Sequence, residues 1–282
     1  YIETYNKPQC ALIAKGIHVG GPVFLDKHFK AEGEVNFMNA RIHGSLDCSG
    51  GLFSNRGHKA LFAKGIVVDR DVLLCENEFS SKSKKIKFAA IGEVRFCGAM
   101  IEGRFQCSGG DFNDGGTKYA LIAKGICVKD SFLLNDSFCA VGKVNLLNAS
   151  IEQTLLLRDI SKDKNCGFKL ILSNAWAETV VVHSTGWPEK YNLDIKDFTY
   201  ENFVYEISDE REVTDWLALN EKPFSPQPYR ILAKVLDEKG YENEAKNILV
   251  KMNDQIKRDK STKLKQRILL KFTGWFIGYG YK

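Results

Sequence analysis

The residues best placed to do chemistry are two histidines, a group of aspartates and a set of glycine pairs. His18 and His43 lie 25 residues apart, at what reads as the same outward position of a repeating unit. Stacked one strand spacing apart, about 5 Å, two imidazoles could begin a metal site. The next units carry Val67, Glu102 and Cys127 at that position, so no third ligand follows. Asp47, Asp69 and Asp71, with Glu102 farther on, could bring two carboxyls to the separation that glycoside hydrolysis requires. Gly20-Gly21, Gly50-Gly51, Gly109-Gly110 and Gly115-Gly116 resemble phosphate loops only in composition, because none leads into Lys-Ser/Thr and a helix. Eight cysteines include no Cys-x-x-Cys, and Cys48, Cys75 and Cys107 sit at or beside apolar positions. Reduced, buried thiols in a cytosolic setting follow, and no cofactor is implied.

These residues are carried by a repeat. Ala11–Ile17 (ALIAKGI) returns at Ala60–Ile66 and Ala120–Ile126, and Gly33–Gly51 returns at Gly92–Gly110. Aligning the two families gives one column of Leu12, Phe37, Leu61, Phe96, Leu121, Leu146 and Ile171. A second column, five residues on, holds Ile17, Ile42, Ile66, Ile101, Ile126, Ile151 and Trp176. A later aromatic recurs as Phe29, Phe53, Phe79, Phe112 and Phe138. The usual step is 25 residues, and the one long step contains the polar insertion Ser80–Lys87. Short alternating segments separated by Gly, Asn, Asp and Lys turns cannot bury a core singly, whereas stacked they can. The sequence therefore predicts a mainly β chain: a parallel β-helix (solenoid) of about seven to eight 25-residue coils over 1–207.

From 208 to 282 the pattern changes to helical spacing. Val213, Trp216, Leu217 and Asn220 form one stretch, and Lys222–Pro228 breaks it. Ser225-Pro226 reads as a helix start and Gly240 as its stop, with Tyr229, Leu232, Val235 and Leu236 on one face. Ala245, Ile248, Leu249, Met252 and Ile256 mark a second helix, so a C-terminal α-helical hairpin is expected. Net charge is +5, yet Lys246–Lys282 alone carries +8 and the remaining 245 residues −3. The basicity belongs to the tail.

Gly33-Glu34-Val35-x-Phe37-x-x-Ala40-x-Ile42-x-Gly44-x-Leu46-x-Cys48-Ser49-Gly50, its copy at Gly92–Gly109, Gln227-Pro228-Tyr229 and Gly278-Tyr279-Gly280-Tyr281 resemble a bacterial group of pentapeptide-repeat-like solenoid proteins, whose members are often labelled membrane-associated oxidoreductases. The resemblance implies transmembrane helices after the Gly-Tyr-Gly-Tyr region, so that Lys282 marks a cut before the membrane. Tyr1, in place of Met, agrees with a fragment or processed product. The residues themselves offer no dinucleotide fingerprint, redox thiol pair or haem motif to match an oxidoreductase.

The outward centre of the recurring strand reads Phe24, Asp47, Leu73, Gln106, Leu133, Leu156, Val181, which is no acidic cleft. Leu133, Leu156 and Val181 instead form an apolar stripe that calls for cover by the chain's own helices, a protein partner or a second copy. The leading expectation is a non-catalytic binding or sensing scaffold. An enzyme acting on carbohydrate or a small ligand through Asp47, Asp71 or His18 and His43 is the alternative. A nucleic-acid-binding rod is disfavoured, because the insertion lysines lack interleaved aromatics and the rod is too weakly acidic to mimic DNA. In the tail, Lys263, Lys265, Arg267 and Lys271 precede Trp275, Phe276 and Tyr279, the order of an inner membrane flank. That places the solenoid at the cytoplasmic face. A peptide spanning Lys251–Lys282 is expected to bind anionic vesicles and to release them as salt rises; indifference to lipid charge removes the membrane expectation.

Overall fold

In a computed structural model, the described residues are 10–77, 85–161, 163, 165–182, 192–205, 216–220 and 224–258. The chain winds into a parallel β-solenoid of about seven turns followed by helices. Its strands form a ten-stranded and a thirteen-stranded sheet, each ordered by coil rather than by hairpin.

One column of inward residues runs the length of the rod: Leu12, Val35, Leu61, Val94, Leu121, Val144, Leu170 and Leu193 stand side by side in register. Successive steps are 23, 26, 33, 27, 23, 26 and 23 residues, so the coils average about 26 residues and the usual step of 25 varies from coil to coil. Phe37, Phe96 and Leu146 belong two residues further along than the sequence alignment placed them. Side chains alternate with a period of two, so a two-residue slip keeps them inward while exchanging their neighbours. Ile171 and Trp176 are each displaced by one residue, and their sides change: Leu170 takes the inward place beside Val144 while Ile171 stands beside Asn145, and Ala177 pairs with Ile151 inside while Trp176 sits beside Ser150 outside.

Two kinds of coil alternate because their corners differ. Gly92 has φ +128°, and a Cβ there would lie 2.6 Å from the Asn55 carbonyl and 2.8 Å from that of His58. The neighbouring coils carry loops at this corner, and the Gly57 N–H donates to the Gly115 carbonyl at 3.0 Å. A tight glycine coil thus seats under a looped one, which is why the sequence shows two motif families.

The core is stacked aromatically. Phe29, Phe53, Phe88, Phe112, Phe138 and Phe168 form a continuous file with centroids 5.0–5.5 Å apart. Phe88 holds the place expected for Phe79, which lies outside the described residues. The insertion is closed at its base: Asn77 bridges Ile86 antiparallel, and Lys85 pairs with Glu76 at 2.7 Å.

The helices Gln227–Glu238 and Glu242–Arg258 form the expected hairpin. Pro226 is the N-cap rather than the first helical residue, and Gly240 at φ +84° ends the first helix. Tyr229, Leu232, Val235 and Leu236 are buried, as are Ala245, Ile248 and Met252. The tail closes the end of the rod through its backbone: Leu193 N–H donates to the Leu219 carbonyl (3.1 Å), and Ile195 N–H to Asn220 Oδ1 (3.2 Å). Asp197 N–H donates to Gln227 Oε1 (3.1 Å), and Trp216 lies 5.8 Å from Phe203, ring to ring. Truncating Phe112 to Ala in mid-file is expected to cost about 3–5 kcal/mol, whereas Met100→Ala on the outer surface should stay within about 0.5 kcal/mol. Denaturant midpoints of the two variants check this.

Candidate functional site

The outer face of the thirteen-stranded sheet is the surface that the fold builds most regularly. Phe24, Asp47, Leu73, Gln106, Leu133, Leu156, Val181 and Val204 occupy one file, each directly beside the next. Their flanking residues turn inward and are buried, as Leu155 and Leu157 do around Leu156, and Val180 and Val182 around Val181. Leu133, Leu156 and Val181 are half-buried by their neighbours in the file, and Val204 at its end is 47% exposed. The expected stripe therefore exists in register and continues one coil further. The described helical residues hydrogen-bond to the end of the rod, and the helix Gln227–Glu238 packs against the strand Thr199–Tyr205 in which Val204 lies.

A second outward file contains His18, Arg41, Val67, Met100, Cys127, Ser150, Trp176 and Thr199. Met100 is 45% exposed and Trp176 half-buried, two separate apolar residues in an otherwise mixed file. Between them run polar pairs: Lys129 with Glu152, and the Asn202 amide donating to Thr179 Oγ1 at 3.4 Å. The Glu152 carboxylate accepts from Lys129 and holds its ammonium above the usual lysine range. Sequence reading missed Met100, Trp176 and Val204. The 23-residue step from Val181 to Val204 was the available signal, hidden by the assumption of a 25-residue coil.

The titratable candidates disperse. His18 stands beside Arg41, not His43, which corrects their assignment to one file. His43 Nδ1 instead lies 2.7 Å from Asp69 Oδ2, and Arg41 reaches Asp69 Oδ1 at 3.3 Å. Asp47 Oδ1 accepts the Ser49 N–H at 2.9 Å, a turn bond local to its own coil. Asp71 accepts the Arg104 N–H at 2.8 Å and pairs with its guanidinium at 3.5 Å. Each carboxylate is thus held by a partner in its own or the next coil, an arrangement that locks corners. Among the described residues, no group of three or more His, Cys, Asp or Glu is arranged to hold a metal ion.

Burial sorts the thiols. Cys48 and Cys107 are fully buried, and desolvation pushes both well above the ordinary thiol range. Cys139 is raised chiefly by its hydrogen bond to Cys166, with burial adding to it, and Cys166 is lowered by the same bond. The tail residues Lys263, Lys265, Arg267, Lys271, Trp275, Phe276 and Tyr279 lie outside the described residues. No described helix is long and apolar enough to cross a membrane. Comparison with family profiles, curated proteins and solved structures returns no match.

A raised thiol pKa means less thiolate at a given pH and slower attack on a disulfide reagent. In native protein at mildly alkaline pH, exposed Cys10 is expected to react first with an aromatic disulfide. Cys48 and Cys107 should wait for denaturant, and prompt modification of either by peptide mapping would contradict their burial.

Proposed function

We propose that the chain is a non-catalytic scaffold that presents the outer face of its thirteen-stranded sheet to a protein partner. One observation carries this reading: Leu133, Leu156, Val181 and Val204 stand in an unbroken apolar file, with Trp176 on the same face in the coil of Val181. Soluble surfaces seldom leave such a file bare, and a face fixed by parallel ladders on both sides costs little ordering on binding. Asp69 with His43 and Asp71 with Arg104 are engaged in pairs between adjacent coils, and Asp47 accepts the N–H of its own turn, which favours the scaffold over the carbohydrate-acting alternative. The likeness of Gly33–Gly50 and Gly92–Gly109 to bacterial pentapeptide-repeat-like solenoids fits a structural repeat put to recognition. The basic and aromatic tail adds a contact with anionic lipid, and hence a position at the cytoplasmic face of a membrane.

A photocrosslinking residue at Leu156 is expected to capture one discrete protein in the native host, and the same residue at Lys169, on the ten-stranded sheet, none. The chain carrying Leu133→Lys, Leu156→Lys and Val181→Lys should fold with unchanged circular dichroism and lose the host activity. Asp47→Asn with Asp71→Asn should retain that activity. An adduct to the chain's own tail, equal labelling from both faces, or loss of activity in the Asn variant alone would each sink the reading.

A further inference from the structure

Two of the thiols, Cys139 and Cys166, meet across adjacent coils. Cys139 opens the strand Cys139–Asn145, and Cys166 immediately precedes the strand Gly167–Ile171 that lies beside it. Val141 pairs with Gly167, so one step back Ala140 stands beside Cys166, and Cys139 is its diagonal neighbour. A strand spacing of about 4.8 Å and a rise of about 3.3 Å per residue put the two Cα atoms roughly 6 Å apart, inside the span of a disulfide. Cys166 Sγ lies 3.8 Å from the carbonyl oxygen of Ala140, the residue next to Cys139, and the Cys139 thiol donates to that sulfur.

Backbone hydrogen bonds hold both partners in place. Ser161 N–H donates to the Phe138 carbonyl (3.0 Å), Cys166 N–H donates to the Asp163 carbonyl (2.8 Å), and Asp163 Oδ1 accepts the Asn165 N–H (2.9 Å). On the other side Cys139 N–H donates to the Gly110 carbonyl at 2.9 Å, with Asp111 as its ladder partner. Exposure then separates their roles. Cys166 is 2% exposed and Cys139 only half-buried, so a reagent from solvent meets Cys139 first and Cys166 waits behind it. That is the order of a reacting thiol and a resolving one. Cys48 and Cys107, fully buried, offer no such entry.

We propose that Cys139 and Cys166 form a reversible redox site, which a small-molecule disulfide converts to a disulfide bond tying one coil to the next. The Cys139 sulfur bonds to one sulfur of the reagent, and the other leaves as a thiol. Cys166 then attacks the Cys139 sulfur and expels the second reagent thiol. The two protons of the protein thiols end on the two reagent thiols, so the protein is oxidised and the reagent reduced by the same two electrons. The hydrogen bond between the sulfurs lets the pair release its first proton while sharing the second, against the opposing charges of Asp111 and Asp163. The bond closes a loop of one coil and so restricts the unfolded chain. This site is independent of the apolar file proposed for a partner protein.

The chain carrying Cys10→Ser, which removes the exposed thiol, is to be equilibrated with mixtures of reduced and oxidised glutathione. It is expected to lose two hydrogens per molecule, to retain no glutathione, and to yield on digestion one peptide link from Cys139 to Cys166. Dithiothreitol should restore both thiols, and the oxidised form should melt at a higher temperature than the reduced one. Adding Cys166→Ala should leave glutathione held on Cys139, and adding Cys139→Ala should leave Cys166 unmodified. The link in the Cys10→Ser chain decides the matter whether or not those two variants fold. Separate alkylation of Cys139 and Cys166 after oxidation, glutathione retained on either, or a link from either to another cysteine would overturn the proposal.

Discussion

Every coil must turn the same corner in the left-handed backbone conformation, and the rest of the rod depends on it. The residues at this corner are Gly16, Asn39, Gly65, Gly98, Gly125, Asn148, Asn174 and Asp197, all with φ between +54° and +66°. An ordinary side chain there costs about 1–2 kcal/mol; Gly has no such penalty, and Asn and Asp bear it best. The corner sends the chain from one sheet to the next at a fixed point, so each coil arrives in register with its neighbour. Loss of a single corner would misplace two strands, not one turn.

Once register is fixed, the interior follows as columns rather than as a three-dimensional puzzle. The phenylalanine file through Phe53, Phe88 and Phe112 repeats one contact at one spacing. Such a core has no natural limit along the axis, and stability is a sum of coils and their interfaces. At the C-terminal end the core is closed by side-chain and backbone acceptors from the helical tail.

The outer surface obeys the opposite logic. Polar groups at the corners are consumed in holding adjacent coils together, as Asp71 holds Arg104 and Asp69 holds His43 and Arg41. Apolar residues in the strand centres have no such internal duty. They accumulate in files along the lateral face, and the surface best suited to recognition is the one that makes least use of charge.

The fold was legible from residue types because the period-two alternation and the Gly or Asn corners are local requirements, written again in each coil. The buried set survived even a two-residue error in alignment, since Phe37 and Val35 share a side. The helical hairpin was legible for the same reason, through Tyr229, Leu232 and Gly240. The candidate site was legible only in part: Leu133, Leu156 and Val181 could be placed in one file, but Trp176 was put inside, and His18 was matched with His43. Neighbours across coils are set by how many residues each corner consumes, and that number varies where Gly92 seats beneath the loop at Asn55–His58. The sequence by itself determined which residues face inward and where the chain turns, because both are backbone and hydrophobic constraints within a coil. Only the tertiary structure decided who stands beside whom and how the C-terminal end of the rod is closed, because those follow from hydrogen bonds between segments far apart in the chain.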